Sequence, residues 1–292
     1  MAAQPGSRRP RLYHLTGDLG SRTYLVTGAN TGIGRVTAQE LAARGARVFL
    51  ACRSPAKGQE ALAAIREATG ADGLELLTLD LGDLDSVRAA AQTFLGTGEP
   101  LHGLINNAGL AGQRGLTASG FEVAFGTNHV GPFLLTNLLL DRIRESAPAR
   151  IVIVASDAHY RAEGIDFEAV RRPTATRTAF AEYGVSKLAN VLHAQELARR
   201  LQGTAVTTYS LHPGVVASDV WRRVPWPIRP IMKLRMRSTQ EGAQTSLYCA
   251  TDPAVADQSG LYYEDCRHKA AAAIATPELG AELWRHSESW TS

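Results

Sequence analysis

The 292-residue chain is long enough to bury one large core, and its composition, 45% hydrophobic and 20% charged, is typical of an ordinary soluble globular protein. The net charge is only +3 and the basic residues are scattered, which argues against a nucleic-acid partner. The three cysteines lack metal-ligand spacing, so we expect reduced thiols, no metal site and a cytoplasmic location.

The N-terminal segment, residues 1–20, is polar and contains no apolar run after its arginines. It predicts neither a signal peptide nor a membrane anchor. We interpret it as a flexible tail that precedes a single catalytic domain over residues 21–292. No stretch elsewhere reaches the length needed to span a membrane.

The first predicted strand, Thr23–Thr27, runs into a glycine-rich stretch, Gly28-Ala-Asn-Thr-Gly32-Ile-Gly34, and then into a helical pattern over residues 35–44. Glycines allow the backbone to turn sharply and to approach a pyrophosphate, while the helix N-terminus offers N–H groups and a positive dipole end. Three glycines also occur in purely structural turns. Between a strand and a helix, however, they favour nucleotide binding.

The second predicted strand, residues 46–52, is followed by Arg53, with Lys57 close behind. In dinucleotide-binding folds an acidic residue near this point holds the ribose 2′-hydroxyl of NAD, whereas an arginine accommodates the 2′-phosphate of NADP. The acid is absent here, and a guanidinium pairs with phosphate through two parallel hydrogen bonds. Arg53 therefore favours NADP(H) over NAD(H); the alternative is an ordinary surface arginine.

Strands and helices continue to alternate along the rest of the chain. The pattern predicts helices over 55–69 and 83–95, a helix running through 127–140, and strands over 74–79, 103–105, 150–155 and 204–211. This alternation predicts an α/β fold, a single Rossmann-type doubly wound parallel sheet with helices on both faces. Ligands of such sheets bind beyond the carboxyl ends of the strands, where we find Gly28, Arg53, Asp80, Asn106, Ser156 and Pro213.

Tyr183 and Lys187 stand four residues apart at the head of a long helical pattern, so their side chains share one helix face. A fixed positive charge lowers the pKa of a phenol from its free value of about 10 towards the range where it can exchange a proton. Alone the pair is a weak signal, because two such residues also occur on ordinary solvated helices.

Together these motifs resemble the short-chain dehydrogenases/reductases. The matching pieces occur in the family's order over residues 22–250: Thr27 to Gly34, Asp80-Leu81, Asn106-Asn-Ala-Gly109, Asn128, Ser156, Tyr183-x-x-x-Lys187 and Pro213-Gly214. Within the family the chain is most similar to the retinol-dehydrogenase branch. That similarity rests on Ala51-Cys-Arg53, Thr127 to Phe133, Ser186 to Leu192, His212 to Val216 and Glu241 to Leu247.

The resemblance implies a role for each of four catalytic residues. Tyr183 would donate a proton to a carbonyl oxygen or remove one from an alcohol. Lys187 would stabilise the phenolate and bind the nicotinamide ribose. Ser156 would hydrogen-bond the substrate oxygen, and Asn128 would hold a water that links Lys187 to solvent.

The resemblance also implies an NADP(H) cofactor that lies along the remaining motifs. The pyrophosphate and its ribose would contact Gly28, Asn30, Thr31, Gly32, Ile33 and Gly34. Arg53 would bind the 2′-phosphate, and Asp80 and Leu81 would flank the adenine. The nicotinamide half would pass Asn107, Ala108 and Gly109, with Tyr183 and Lys187 beside it, and would border Pro213, Gly214 and Val216.

Two segments are expected to shape the substrate side. Ser156 and Tyr183 are 27 positions apart, longer than is usual in the family, which indicates an insertion at residues 159–180. We expect His159 in this insertion to be a packed rather than a catalytic histidine. Residues 218–240, rich in tryptophan, proline and arginine, correspond to the family's substrate lid; their composition also suits peripheral contact with a membrane.

The branch implies an oxidoreductase for lipophilic aldehydes, ketones and their alcohols, with retinal and retinol as examples. Microsomal members carry an apolar N-terminal anchor that this sequence lacks, so a soluble carbonyl reductase for other aldehydes, ketones or steroid-like compounds is an equal alternative. A non-catalytic NADP-sensing protein is a third. Dimers and tetramers are usual for the family, and the sequence leaves the oligomeric state open.

Overall fold

One sheet organises the part of the protein that the computed structural model describes, residues 17–215 and 237–292. Its eight strands follow the order β3-β2-β1-β4-β5-β6-β7-β8. Their bounds are β1 Thr23–Thr27, β2 Arg47–Cys52, β3 Leu74–Thr78, β4 Gly103–Asn106, β5 Ala149–Val154, β6 Val206–His212, β7 Leu261–Glu264 and β8 Arg267–Lys269. Strands β1 to β7 pair in parallel, and the switch in strand order lies between β1 and β4.

Helices connect the strands and cover both faces of the sheet. The longer ones are α1 Gly32–Ala43, α2 Pro55–Thr69, α3 Leu84–Gly96, α5 Gly131–Glu145, α6 Phe180–Arg200, α7 Thr239–Thr251 and α8 Pro277–Thr291. Short elements are the turn α4 Val123–Phe125, the π-helix Gly126–Val130 and the 3₁₀ turns Asp157–Arg161, Ala169–Arg171 and Pro253–Val255. None of the helices in the described ranges is long and apolar enough to cross a membrane.

The core consists of two apolar layers, one on each face of the sheet. Alternate residues of β1 illustrate the division, since Val26 packs with α1, α2 and α7, while Leu25 packs with α3, α5 and α6. Strand β5 is fully enclosed, with Ile151, Val152 and Ile153 each at 0% exposure. This explains its continuous apolar sequence, because a central parallel strand is covered on both faces.

The predicted α/β fold is confirmed, and helix α2 has the predicted bounds. The sequence did not predict β7 or β8, which run antiparallel to each other at the sheet edge. The two strands are joined by Asp265 and Cys266, both with positive φ (54° and 56°). The hairpin escaped prediction because its turn lacks the glycine or asparagine that usually adopts this backbone conformation.

The predicted helix through residues 127–140 is confirmed, but residues 126–130 form a π-helical turn between α4 and α5, and the helical backbone continues through both junctions. Pro132 stands at the start of α5 and has no N–H to donate to the carbonyl of Asn128, its partner in a regular α-helix. The wider π-helical turn lies where that bond is missing, and such turns are frequent at functional sites.

The structure bears on three predicted boundaries of the chain. Leu19 is buried and its N–H donates to the Arg44 carbonyl at 2.8 Å, so the packed part of the chain begins before residue 21. The rest of the predicted tail, residues 1–16, lies outside the described residues, as do Val216 and residues 218–236 of the predicted lid. The lid's expected end, at about residue 240, coincides with the start of α7, which begins at Thr239 behind a capping box formed by Ser238 and Glu241.

Candidate active site

The glycine loop, residues 28–34, lies at the carboxyl end of β1 and leads into α1. Gly28 and Gly32 have φ of 65° and 57°, values that favour glycine. A Cβ atom on Gly34 would lie 2.4 Å from the Asn107 side-chain nitrogen and 2.4 Å from the Gly28 carbonyl oxygen. Thr31 is exposed, and Asn30 and Ile33 are half-buried. The loop therefore packs so closely that only glycine fits at position 34.

Thr27, which sequence reasoning did not assign to the site, fixes the loop after β4 against the glycine loop. Its hydroxyl oxygen accepts from the N–H groups of Asn107 and Ala108, each at 3.0 Å. The Asn107 side-chain amide donates to the Thr27 carbonyl at 2.7 Å. Asn107 thus holds these two loops together, and Ala108 and Gly109 follow directly.

Arg53 and Asp80 meet at the same edge, beyond β2 and β3. Their closest nitrogen and oxygen atoms are 4.0 Å apart, and the Arg53 side chain is 79% exposed. Asp80 is the more constrained, since its carboxylate accepts from the Gly82 N–H at 2.9 Å. Leu81 is buried, and its carbonyl lies against Gly131 of α5. The Arg53 guanidinium is therefore accessible to an anionic ligand.

Lys187 is almost fully buried on α6 and donates to the Val154 carbonyl at the end of β5, at 2.8 Å. Burial lowers its pKa to about 7. The Asn190 side chain donates to the same carbonyl at 3.1 Å. A Cβ atom on Gly109 would lie 3.4 Å from the Lys187 nitrogen, which brings the loop after β4 to this group. The helical spacing of Lys187 and Asn190 could have revealed the latter from sequence.

Tyr183 lies next to Lys187, whose nitrogen is 5.6 Å from the centre of the phenol ring. Burial raises the Tyr183 pKa above its ordinary value, a hydrogen bond with Ser156 partly offsets this, and the Asp157 charge adds to the rise. The expected lowering of the Tyr183 pKa is therefore wrong for this arrangement. Burial is the largest cause of this rise, and burial also lowers the pKa of the neighbouring Lys187 to about 7.

Ser156 lies at the end of β5 and caps the 3₁₀ turn Asp157–Arg161. Its hydroxyl oxygen accepts from the Ala158 N–H at 3.2 Å, and the hydroxyl donates to the Asp157 carboxylate at 3.1 Å. The side chain is buried, and its hydroxyl is close enough to the Tyr183 phenol to lower the pKa of that group. The structure therefore brings Ser156, Tyr183 and Lys187 together.

Asn128 links the same group to the loop after β4. Its side-chain oxygen accepts from the Leu110 N–H at 2.9 Å, and its amide donates to the Leu110 carbonyl at 3.0 Å and to the Ser186 hydroxyl at 2.9 Å. The side chain is thus committed to protein partners. A water in a proton relay would have to use the Asn128 backbone carbonyl, which lacks its α-helical donor because residue 132 is proline.

The loop after β6 completes the edge with Pro213 and Gly214. Gly214 has φ of 84°, and the Arg237 side chain packs against it. The Arg237 guanidinium makes two hydrogen bonds to the Asp265 carboxylate, and the backbone N–H of Arg237 donates to the Val215 carbonyl at 2.9 Å. Arg237 therefore connects this loop to the β7–β8 turn.

His159 is packed, as predicted. Its ring is fully buried, with Nδ1 2.6 Å from the Ser156 carbonyl, while Nε2 accepts from the Ala272 N–H at 3.1 Å. Because Nε2 accepts, the proton of the neutral ring belongs on Nδ1 and is donated to Ser156. Burial lowers the His159 pKa, which favours this neutral form.

The insertion, residues 159–180, is attached by two carboxylates. Glu122 is buried and accepts from the N–H groups of Ala124 and Phe125 at 2.8 and 2.9 Å and from the Thr174 hydroxyl at 2.5 Å. Glu182 accepts from the Thr176 N–H at 2.7 Å and from its hydroxyl. Sequence reasoning missed both anchors, whose partners show no motif.

Three features lie on this edge of the sheet: a glycine loop at the switch in strand order, an exposed arginine beyond β2, and a buried tyrosine–lysine–serine group. Together they define a class of proteins, the dinucleotide-dependent α/β oxidoreductases. Comparison with known proteins agrees. A family model described as short chain dehydrogenase matches residues 22–169. The chain belongs to the short-chain dehydrogenases/reductases, enzymes that act on alcohol and carbonyl groups.

The relatives confirm the resemblance to the retinol-dehydrogenase branch. Retinol dehydrogenase 12 of Mus musculus is 46% identical over 274 residues, which cover 91% of this chain and 85% of the relative. Dehydrogenase/reductase SDR family member 13 of Homo sapiens is 44% identical over 279 residues, 93% and 74% of the two chains.

Solved structures show the same fold. An uncharacterized protein from Mycobacterium paratuberculosis aligns with a TM-score of 0.74 and 33% identity over 94% of both chains. RhlG of Pseudomonas aeruginosa, in an active-site complex with NADP, aligns with a TM-score of 0.68 and 26% identity over 84% of this chain and 94% of RhlG.

Proposed function

We propose that the protein is an NADP(H)-dependent oxidoreductase that interconverts a lipophilic aldehyde or ketone and its alcohol. The observation that carries the cofactor assignment is Arg53, whose exposed guanidinium lies beyond β2 with no acidic residue at the end of that strand. A guanidinium there pairs with a 2′-phosphate, whereas NAD-binding proteins use an acid at this place. The bound NADP of the RhlG complex supports the same cofactor.

The residues present fit such a cofactor. The glycine loop presents closely packed backbone, and the first turn of α1 carries no acidic residue to repel a pyrophosphate. Gly109 brings the backbone of the loop after β4 close to Lys187, where a Cβ atom would lie 3.4 Å from the lysine nitrogen. When bound, the nicotinamide supplies or accepts the hydride.

The protein residues supply position and proton transfer. Tyr183, with its raised pKa, is a phenol at neutral pH and suits proton donation to a carbonyl oxygen. Lys187 lies beside it and can pass a proton, since its pKa of about 7 makes both of its forms accessible. Ser156 hydrogen-bonds the substrate oxygen, and Asn128 holds the relay water through its backbone carbonyl.

The substrate assignment rests on the surface next to Tyr183. Phe180 is exposed one turn before Tyr183, with the ring centres 6.2 Å apart, and Tyr160 and Val215 are also exposed. These side chains favour a lipophilic substrate, in line with the relatives named retinol dehydrogenase. A carbonyl reductase for other aldehydes, ketones or steroid-like compounds is the second candidate, and a non-catalytic NADP sensor the third.

The remaining sequence-based expectations belong to the same proposal. It assigns one catalytic domain with an insertion at 159–180 and a substrate lid between β6 and α7. Adenine is flanked by Asp80 and Leu81, and the nicotinamide is bordered by Pro213, Gly214 and Val216. The proposed location is the cytoplasm.

The test compares binding of NADPH and NADH by calorimetry in wild type, Arg53→Ala and the control Arg66→Ala, another exposed arginine, on α2. Loss of a charged hydrogen-bonded pair should weaken NADPH binding about tenfold or more in Arg53→Ala alone and leave NADH unchanged. Equal NADPH and NADH affinities in wild type would remove Arg53 from its role.

Turnover is then measured on a panel of aldehydes and ketones that includes all-trans-retinal. We expect Tyr183→Phe to keep NADPH binding and lose turnover on every substrate that the wild type reduces. Unchanged turnover in this variant would contradict the role of Tyr183. Tight NADPH binding by wild type with no turnover on the whole panel would favour the sensor.

A further inference from the structure

Asp157 is a carboxylate immediately beside the proposed proton-transfer group that the family comparison leaves without a role. It follows Ser156 in the first position of the 3₁₀ turn, and its side chain is 54% exposed. The Ser156 hydroxyl donates to it at 3.1 Å. A serine hydroxyl carries one proton, so while this bond is made the same proton is withheld from any other acceptor.

The competing acceptor is Tyr183. Ser156 and Asp157 act on the Tyr183 pKa in opposite directions, because interaction with the Ser156 hydroxyl lowers it and the Asp157 charge raises it. The two influences meet at Ser156, whose hydroxyl donates to the Asp157 carboxylate and also acts on the phenol. While its proton points to Asp157, that proton is not available to stabilise a Tyr183 phenolate.

Among the described residues Asp157 makes no ion pair shorter than its contact with His212, although the Lys269 charge is near enough to interact with it. His212, at the end of β6, has Nε2 3.9 Å from the carboxylate, too far for a direct hydrogen bond, and burial lowers its pKa. Its Nδ1 has no hydrogen-bond partner in the described ranges. The ionisable groups that interact with Asp157 or His212 lie on several packed elements: His159, Tyr160, Tyr183, Arg237, Tyr262, Glu264, Asp265 and Lys269.

We propose that Asp157 is a positioning residue for proton transfer: it competes with Tyr183 for the single hydroxyl proton of Ser156 and so keeps Tyr183 protonated. The inference rests on the proposed function for the role of Tyr183. Replacing the carboxylate with a neutral amide removes the charge and weakens the acceptor. Ser156 is then released to donate to the phenol oxygen or to the substrate.

The experiment compares wild type with Asp157→Asn, with Asp157→Glu, which keeps the charge, and with Asp141→Asn, which removes an exposed carboxylate on α5. Ionisation of Tyr183 is followed by NMR in protein labelled at the tyrosine Cζ carbon, with Tyr183→Phe used to assign the signal. We expect the Tyr183 midpoint to fall by about half a pH unit or more in Asp157→Asn and to stay unchanged in Asp141→Asn. In Asp157→Glu the Tyr183 midpoint should lie closer to the wild-type value than in Asp157→Asn.

The pH profile of kcat/KM for carbonyl reduction gives an independent readout. Reduction needs protonated Tyr183. The falling limb of the pH profile should therefore move to lower pH in Asp157→Asn, by the same amount as the Tyr183 midpoint. An unmoved Tyr183 midpoint would overturn the proposal even if turnover is present. Absence of turnover in wild type would count against the proposed function instead, because the NMR titration does not depend on a substrate.

The shared proton is tested by repeating Asp157→Asn in a Ser156→Ala background. Without the hydroxyl, only the through-space charge effect remains, so the shift should be clearly smaller than in the Ser156 protein. An equal shift in both backgrounds would show that Asp157 acts by charge alone and would overturn the competition for the Ser156 proton.

Discussion

The glycine loop, residues 28–34, and the insertion, residues 159–180, border the same edge of the sheet but are held in opposite ways. In the glycine loop the backbone makes the contacts, and the essential feature is the side chain that is absent at Gly34. In the insertion, side chains add to the backbone contacts, and the buried Glu122 accepts from the Thr174 hydroxyl while its backbone N–H donates to the Val170 carbonyl at 2.8 Å. A loop held by its backbone has few alternatives in sequence, whereas side-chain anchors can be exchanged to reshape a substrate opening.

The largest expected effect is that of Gly34→Ala. A Cβ atom 2.4 Å from two atoms forces α1 away from the loop after β4, so we expect a loss of about 3 kcal/mol in the free energy of unfolding. NADPH binding should weaken more than 100-fold because the loop moves. Calorimetric titration and urea unfolding measure the two quantities.

Gly96→Ala is the matched control, since a Cβ atom there meets nothing within 4 Å at the exposed end of α3. It should leave NADPH affinity unchanged and alter stability by less than about 1 kcal/mol. If Gly34→Ala behaved like this control, the close backbone packing of the glycine loop would be refuted.

The next effect is that of Glu122→Ala, the equivalent change for the insertion. Removing the carboxylate leaves the N–H groups of Ala124 and Phe125 and the Thr174 hydroxyl without their buried acceptor, which should cost about 2 kcal/mol. We expect the insertion to become sensitive to limited proteolysis while NADPH affinity stays within about twofold of wild type. A large loss of NADPH affinity would show that the two regions are not independent.

Glu122→Gln sharpens the comparison by removing the charge and keeping the shape. Burial raises the Glu122 pKa, so the folded protein binds this proton more tightly than the unfolded chain does. Stability of wild type therefore falls as pH rises from the unfolded value of about 4.3 through the raised pKa, and the amide variant lacks this slope.

Urea unfolding of wild type and Glu122→Gln from pH 4 to pH 7 measures the slope. At pH 7 the variant should differ from wild type by less than about 1 kcal/mol, because its oxygen can still accept from the helix N–H groups. Parallel stability curves for the two proteins would contradict the buried, hydrogen-bonded carboxylate.

The same contrast explains how far the sequence was informative. Local patterns predicted β1, the glycine loop, α2 and the alternation behind the sheet, because glycine positions and apolar periodicity act within a few residues. The resemblance selected Ser156, Tyr183 and Lys187, which the structure places together. Neither source could show that Glu122 anchors Thr174, 52 positions away, or that Thr27 holds Asn107, since these pairs depend on how distant segments pack.

Charge and pKa were the least predictable features of the site. The spacing of Tyr183 and Lys187 correctly places them on one helix face but says nothing of burial. Burial raises the pKa of Tyr183 and lowers the pKa of Lys187. The Ser156–Asp157 contact is adjacent in sequence, yet only the 3₁₀ turn brings the carboxylate back to the hydroxyl.

The smallest expected effect concerns the second anchor of the insertion, through Thr176→Val. Burial raises the pKa of Glu182, but hydrogen bonds from Thr176 together lower it below its ordinary value. The stabilisation that these hydrogen bonds give the folded protein is present above the pKa of Glu182 in the unfolded chain. It is lost as pH falls through the lowered pKa of Glu182 in the folded protein. Because Thr176 is exposed, solvent screening limits the contribution to about 0.5 kcal/mol.

Urea unfolding of Thr176→Val at pH 7 and pH 3 should show a difference in stability from wild type only at pH 7. A difference at both values would assign the effect to packing, and would leave Glu122 as the sole carboxylate anchor among the described contacts of the insertion.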